Sequence, residues 1–280
     1  MKTKRIAQAG IAVMMTAAIL TGCGSANTAI TVISREDGSG TRGAFTELMG
    51  IAVDDVDNTV ATAEISNSTS VVMQSVAGNT NAIGYISLGS LNDDVKAVSV
   101  DGIAATVENV SNGTYNVARP FNIATKEELS ELASDFVTFI MSADGQAIIE
   151  EEGYIKASEN GAYTPAGLEG TIVVAGSTSV APVMEVLADA YKALNTGVTI
   201  EIQQTGSSAG MTSAIEGACD IGMASREVKE SEIAEGLIPT VIAMDGIAVI
   251  VNNENEIDNL TSEQIMNIYT GTVTDWSEVK

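Results

Sequence analysis

The amino-acid sequence predicts an α/β fold, and three observations carry the prediction. From residue 29 onward, stretches with apolar residues at every second position alternate with stretches that place them at helical spacing. The joints between them are short and rich in Gly, Ser and Thr. One longer segment without any period, ASENGAYTPAGLEG (157–170), divides the chain into two such runs and reads as a linker.

In order, AITVIS (29–34) is a strand, and TRGAFTELMG (41–50) is a short helix stopped by Gly50. NSTSVVMQSVAG (67–78) is a helix ended by Gly78, and AIGYISLG (82–89), VKAVSV (95–100) and ARPFNIAT (118–125) are strands. Residues 126–153 carry apolar residues at helical spacing, as two helices broken near Ala143-Asp144-Gly145. After the linker, TIVVAG (171–176) is a strand, STSVAP (177–182) a loop, and VMEVLADAYKALN (183–195) a helix with Val183, Val186, Leu187 and Tyr191 on one face. VTIEIQQ (198–204) alternates as a strand, TGSSAG (205–210) is a loop and MTSAIEG (211–217) a helix. ACDIGMASRE (218–227) is a strand and loop, TVIAMDGIAVIVN (240–252) is strand-rich, and TSEQIMNIYTG (261–271) is a capped helix ended by Gly271.

The 280 residues, 45% hydrophobic and 18% charged, can bury one large core or two modest lobes. Histidine is absent, which excludes Ser-His and Cys-His catalysis and every histidine-containing metal site. Lys2, Lys4 and Arg5 precede a short apolar stretch, Ile11 to Leu20, that ends in LTGC. This ending resembles a bacterial lipobox rather than an ordinary signal peptide. It implies a signal peptide over 1–22, cleavage before Cys23, lipidation of its thiol, and a tether over 23–27. The chain is then expected on the extracytoplasmic face of the cell membrane, anchored rather than embedded. Cys219 is left without a partner and is expected to be a buried, inert thiol. The net charge is −24, and three of the thirteen Lys and Arg residues lie in the leader, so nucleic acid and anionic lipid are poor partners.

Three loops share one plan, in which a strand runs into small hydroxylic residues and a helix then starts: DGSGT (37–41), GSTSVAP (176–182) and TGSSAG (205–210). A helix N-terminus leaves N–H groups unpaired and carries partial positive charge, so it accommodates an oxyanion. Singly, each loop serves equally as an N-cap; three of them beside Arg35 and Arg226 point to anion binding. The plainer reading pairs Arg35 with Asp37 and Arg226 with Glu227, and a surface ion pair is the reading for Arg42. Asp37 is expected to orient Arg35 in either case. GSSAG (206–210) also fits a G-x-S-x-G nucleophile elbow with Ser208 as nucleophile, but the chain holds no histidine base, and the nearest downstream lysine is Lys229. No nucleotide-binding G-x-x-x-x-G-K-[ST] loop is present.

The segments SREDGSGTRGAFTEL, AIGYISLGSL, FIMSADGQAIIEEEGYI, AGSTSVAPVMEVLADAY, TGSSAGMTSAIEGACDIGMASRE and DGIAVIVNNENEIDNLTSEQIMNIYTGTVTDWSEV resemble, almost end to end, the phosphate-binding lipoproteins of bacterial phosphate ABC importers. The resemblance covers nearly everything after residue 27, but the order differs. In that family the GSTSVAP part opens the mature chain, and SREDGSGTRGAF follows YTGTVTDWSEV. A circular permutation accounts for this, with the old ends joined by the linker; a truncated tandem copy is the competing account. The resemblance implies a two-lobed type II periplasmic-binding-protein fold that closes on its ligand by hinge motion. One lobe is then expected from 28–96 plus 246–280, and the other from 97–245.

The family motif places phosphate contacts on Arg35, Ser39, Gly40, Thr41, Thr178, Ser179 and Ser207, with Ser225 and Arg226 ending the DIGMASR loop. Many family members carry at that loop an aspartate that accepts the proton of hydrogen phosphate; here Asp37, Asp220 or Asp245 would have to take that role. The implied function is a non-enzymatic, monomeric binding lipoprotein without a cofactor that captures inorganic phosphate and delivers it to the membrane permease of an ABC importer. The alternatives are a binding protein for sulfate, molybdate or another tetrahedral oxyanion, a sensing or adhesion lipoprotein with a degenerate cleft, and a Ser208 hydrolase.

Overall fold

The computed structural model describes residues 28–54 and 56–279; the leader, the tether and the lipidation site at Cys23 lie outside the described residues. The strands that organise the molecule are β1 (Thr31–Arg35), β2 (Glu64–Ser66), β3 (Ala82–Ser87), β4 (Ala118–Thr125), β5 (Gly170–Gly176), β6 (Val198–Gln204), β7 (Ile221–Ala224) and β8 (Ile238–Val251). The helices that position the site are α1 (Gly40–Leu48), α2 (Thr69–Ala77), α3 (Glu131–Ile140), α4 (Ala143–Glu151), α5 (Ala181–Leu194), α6 (Ser207–Glu216) and α7 (Ser262–Tyr269).

One mixed sheet runs through the molecule in the order β6-β5-β7-β4-β8-β3-β1-β2. β1, β2 and β3 are mutually parallel at one end, as are β5, β6 and β7 at the other. The fourteen-residue strand β8 joins the two ends. Its first part, Ile238–Gly246, pairs antiparallel with β4, and Ile247–Val251 pairs with β3.

Buried side chains fall into two groups. Phe121, Phe136, Phe139, Ile172, Leu187, Tyr191 and Ile242 pack together, with Met211, Ala214 and Leu237 on the other face of the same strands. Phe45, Tyr85, Tyr115, Ile247, Ile265 and Tyr269 form the second group, flanked by Ile33, Val72 and Val76. The first group draws on residues 121–243 and the second on both ends of the chain. Val98, Val100, Tyr115 and Val117 belong to the second group, so the segment 97–117 leaves the lobe to which the sequence assigned it. Strand pairing is the cause: Lys96–Ala97 pairs with Ile250–Val251, Ser99–Val100 pairs with Asn259–Leu260, and the Tyr115 hydroxyl donates to Ile247 O at 2.8 Å. Among the described residues the chain therefore passes between the two cores only near residues 117–121 and 243–247, on neighbouring strands.

Local chemistry moves several element boundaries. The break between α3 and α4 falls at Met141–Ser142, not at Ala143-Asp144-Gly145, because Ser142 accepts from Gly145 N and caps α4. α5 begins at Ala181, with Pro182 in the first turn where a missing N–H costs nothing. α6 begins at Ser207, so GSSAG is its first turn rather than a loop. Its cap, Gly206, has φ +90°, a conformation that side chains with a Cβ rarely adopt. Cys219 is buried, and burial pushes its thiol up to about 11.

Residues 157–169 form no helix or strand. They are pinned by Tyr163, whose hydroxyl donates to Asp135 Oδ2 at 2.5 Å and whose ring packs edge-on against Phe139. At the opposite core, Trp276 N donates to Thr28 O at 2.9 Å and Thr28 Oγ1 donates to Asp275 Oδ2 at 2.8 Å. The first and last described segments thus lie side by side. A chain in which residue 279 is joined to residue 28 through a short linker, and opened within 157–169, is expected to keep both cores. Thermal unfolding followed by circular dichroism checks this: a melting midpoint within about 5 °C of the parent is expected, given that a loss of about 1 kcal/mol shifts the midpoint by only a few degrees in a chain of this size.

Candidate functional site

Four helices start at the seam between the cores. β1 delivers Arg35 and the turn before α1, and the aromatic stack beneath it holds that turn in place. Phe45 lies 4.0 Å from Tyr85, ring to ring, and the Tyr85 hydroxyl is bonded to Ser34 Oγ at 2.8 Å and accepts from Arg35 N at 3.1 Å. From the other core, β5 ends at Gly176 and releases Ser177, Thr178 and Ser179 ahead of α5, while β7 ends just before Ser225.

These starts bring their hydroxyls into one buried cluster. Thr41 Oγ1 is 2.9 Å from Ser179 Oγ and 3.1 Å from Ser225 Oγ. Ser177 Oγ donates to Ser225 Oγ at 2.9 Å, Ser207 Oγ is 3.5 Å from the same atom, and Gly40 N donates to Ser207 Oγ at 3.2 Å. Thr69, the first residue of α2, lies 3.0 Å from Ser179 Oγ through its hydroxyl. Arg35 reaches the cluster with Nη2 on Thr178 Oγ1 at 3.0 Å and Nη1 on Thr69 Oγ1 at 3.4 Å. Hydroxyls both donate and accept, and the N–H groups of a first helical turn have no partner within the helix, so the cluster is dense in donors without being dense in charge.

The guanidinium groups around it are each met by a carboxylate. Glu36, not Asp37, orients Arg35, through a fork of two 2.8 Å bonds; Asp37 instead accepts from Gly38 N. Arg42 pairs with Asp57 and also donates to Arg35 O. Arg226 pairs with Glu232 at 2.7 and 2.9 Å rather than with the Glu227 side chain, and its Nη2 donates to Ser208 Oγ at 3.3 Å. Although burial raises the Glu232 carboxyl, the bonds from Arg226 and Lys229 N outweigh it and hold its pKa below the ordinary value. Arg226 therefore faces Ser208 and Glu232, outside the hydroxyl cluster that the sequence expected it to join. Arg119 pairs with Asp245, both fully buried, and its Nη2 donates to Thr41 Oγ1 at 3.2 Å. Burial holds the Asp245 carboxyl above the ordinary carboxylate range against the pull of Arg119.

Of the other predicted residues, Ser39 caps α1 by accepting from Arg42 N. Asp220 accepts from Val173 N in the middle of β5, and no hydrogen bond joins it to the cluster. Ser208 has a guanidinium as its hydroxyl partner, and a guanidinium stays protonated and cannot serve as a base. Sequence reasoning missed Ser177, Thr69, Glu36 and Arg119. Thr69 carried a readable signal, since EIS-NSTS-VVMQ repeats the strand, hydroxyl, helix plan of the other three loops. An open groove of about 1100 Å³ lies beside the cluster, lined by Ser39, Arg42, Glu47, Arg119, Ser208 and Arg226.

The chain matches the PBP superfamily domain over residues 4–144 and 161–280. It is 46% identical over 289 aligned positions to phosphate-binding protein PstS 2 of Streptococcus agalactiae, covering 99% of each chain. It is 34% identical to phosphate-binding protein PstS of Bacillus subtilis, but over only 46% of this chain and 42% of that one. Among solved structures, a phosphate-binding protein of a phosphate ABC transporter from Streptococcus pneumoniae superposes with a TM-score of 0.72 at 47% identity, covering 90% of this chain and all of that one.

The approach of α1 to α6 depends on Gly40. A Cβ there would lie 2.5 Å from Ser207 Oγ and 2.9 Å from Ser225 Oγ. Gly40→Ala is expected to push the two helix starts apart and destabilise the chain by about 1–3 kcal/mol, the usual range for overpacking. Urea denaturation measures this, and an unchanged midpoint would contradict the close approach.

Proposed function

Because the chain belongs to the PBP superfamily, and within it to the family of phosphate-binding PstS proteins, we propose that it is the binding lipoprotein of a phosphate ABC importer. It captures inorganic phosphate at the hydroxyl cluster between its two cores and delivers it to the membrane permease. The observation that carries this reading is the meeting of Thr41 with Ser179 and Ser225, hydroxyls from opposite cores within 3.1 Å. A tetrahedral oxyanion offers many acceptor lone pairs. Hydroxyls that now satisfy each other can turn their protons onto it, while N–H groups of the helix starts, such as Gly40 N, which now donates to Ser207 Oγ, and Arg35 complete the shell. The proposed ligands are Arg35, Gly40, Thr41, Thr178, Ser179, Ser207 and Ser225, with Thr69 added and Ser39 holding the turn. Arg226 serves the groove and not the anion.

A second ligand reading rests on one observation. Among the described residues no carboxylate bonds directly to a cluster hydroxyl; those nearby are engaged by Arg35, Arg119 and Arg226. Hydrogen phosphate then finds its proton acceptor only in hydroxyl oxygens such as Ser225 Oγ. Sulfate, which brings no proton, is rejected less strongly than a site with an acceptor carboxylate would reject it.

The segment order supports a circular permutation relative to part of the family. The alignment with the S. agalactiae protein runs end to end, so the two share their order, whereas the B. subtilis protein aligns over less than half of either chain. Chains built of the same segments in a different order align in only one block. The adjacency of Thr28 to Trp276 and the segment 157–169, which forms no helix or strand, supply the surface joints such a change needs. The LTGC ending supports lipid attachment at Cys23, which places the protein at the extracytoplasmic face of the cell membrane.

Isothermal titration of the purified chain with phosphate and with sulfate tests the ligand. Phosphate is expected to bind more tightly, and Thr41→Val to weaken it about 10- to 100-fold, the loss of one or two hydrogen bonds to a charged group. Absence of both heat and thermal shift with phosphate refutes the reading, and unchanged affinity in Thr41→Val and Arg35→Ala would favour a sensing or adhesion role. Cys23→Ser is expected to move the protein from the membrane fraction to the soluble fraction; retention at the membrane refutes lipidation at that thiol.

A further inference from the structure

Arg119 is the guanidinium at the seam that the family motif does not assign. It sits in β4, where Arg119 and Asp245 of β8 are direct register partners, on the two neighbouring strands that carry the chain from one core to the other. Arg119 is 3% exposed and Asp245 1%. One arm of the fork, Nη1, is held by the Asp245 carboxylate and by Gly246 O at 2.8 Å. The other arm, Nη2, donates to Thr41 Oγ1 at 3.2 Å, and Nε, although buried, has no partner. Its Cζ lies over the Phe121 ring, 5.0 Å from the centroid, a cation–π contact.

A guanidinium donates and never accepts. The bond from Arg119 therefore takes one of the two lone pairs of the Thr41 hydroxyl and sends its single proton elsewhere, into the cluster. The remaining neighbours of that oxygen are Ser179 Oγ and Ser225 Oγ, both within the cluster. Without Arg119, both lone pairs of Thr41 would be open toward the cluster, and the hydroxyl would more readily turn one of them, rather than its proton, toward an incoming anion. Arg226 cannot substitute, because Glu232 clasps it from outside the cluster.

We propose that Arg119 is a positioning residue of the anion site, held by Asp245 so that Thr41 is kept as a hydrogen-bond donor toward the oxyanion. This inference rests on the phosphate reading given above and adds a residue from the strands shared by both cores. Asp245 acts one step further out. By fixing Nη1 it leaves Nη2 free for Thr41, and it neutralises a charge that would otherwise be buried alone.

Removing Arg119 alone would strand the Asp245 carboxylate in the core, so the test uses the charge-balanced pair Arg119→Met with Asp245→Asn in the full chain, with thermal melts as a folding control. Phosphate affinity is measured by isothermal titration for the wild type, the paired variant, Thr41→Val, and all three changes together. The paired variant is expected to bind phosphate about 10- to 100-fold more weakly, the scale of a charge-assisted hydrogen bond. Because the action passes through Thr41, adding Thr41→Val to the paired variant is expected to weaken binding by less than about threefold more. Wild-type affinity in the paired variant, or losses that simply multiply, would overturn the role of Arg119 while leaving phosphate binding itself standing. A wild-type chain that gives no heat with phosphate overturns the phosphate reading and this inference with it. If the paired variant does not fold, Arg119→Lys decides. It keeps the charge but lacks the fork that reaches Asp245 and Thr41 together. Weakened phosphate binding supports the role, and unchanged binding removes it.

Discussion

The molecule is organised around a meeting of small hydroxyls across a seam. Thr41 belongs to a helix packed on the core built from both chain ends, whereas Ser179, Ser207 and Ser225 belong to the core built from the middle. Small hydroxylic residues stand where four helix starts converge, and at Gly40 there is no room even for a Cβ. Uncharged donors can be packed this closely because they satisfy one another, which a cluster of lysines could not do. The aromatic stack of Phe45, Tyr85 and Tyr269 below β1 shows how much apolar packing is committed to holding one side of this contact still.

The same geometry explains the sheet. A single long strand, β8, belongs to both cores, and its neighbour β4 begins at the crossing. Placing an ion pair there puts a fixed donor beside the seam on the part of the fold common to both halves. Parallel strands with helices on their faces form each end of the sheet, and the antiparallel pair forms the bridge.

Much of this was legible in the sequence. Alternation gave the strands, and the repeated plan of strand, hydroxyl and helix gave Thr41, Ser179 and Ser207, because an N-cap and an anion site make the same local demands. The fourth instance was hidden because NSTS merges into a good helical pattern, so Thr69 read as helix interior. Arg119 gave no local sign at all. It lies within ARPFNIAT, an ordinary strand pattern, and its partner is 126 positions away, so only strand register brings the pair together. The same limit applies to the lobe boundary at 97, since alternation in VKAVSV marks a strand without saying which sheet it joins. For Arg35 and Arg226 the pairing carboxylates were misassigned because several acids stand nearby in sequence, and side-chain direction chose Glu36 and Glu232.

Among the described residues, the pairing of every guanidinium with its own carboxylate has a kinetic consequence. Such matched pairs project almost no field beyond about 10 Å at about 0.1 M salt, while the chain as a whole carries a net charge of −24. An oxyanion diffusing toward the groove meets net repulsion until it is almost in contact, and its capture is decided at short range by oriented protons. Added electrolyte should therefore quicken encounter by screening that repulsion, the reverse of what electrostatic steering produces in a basic cleft.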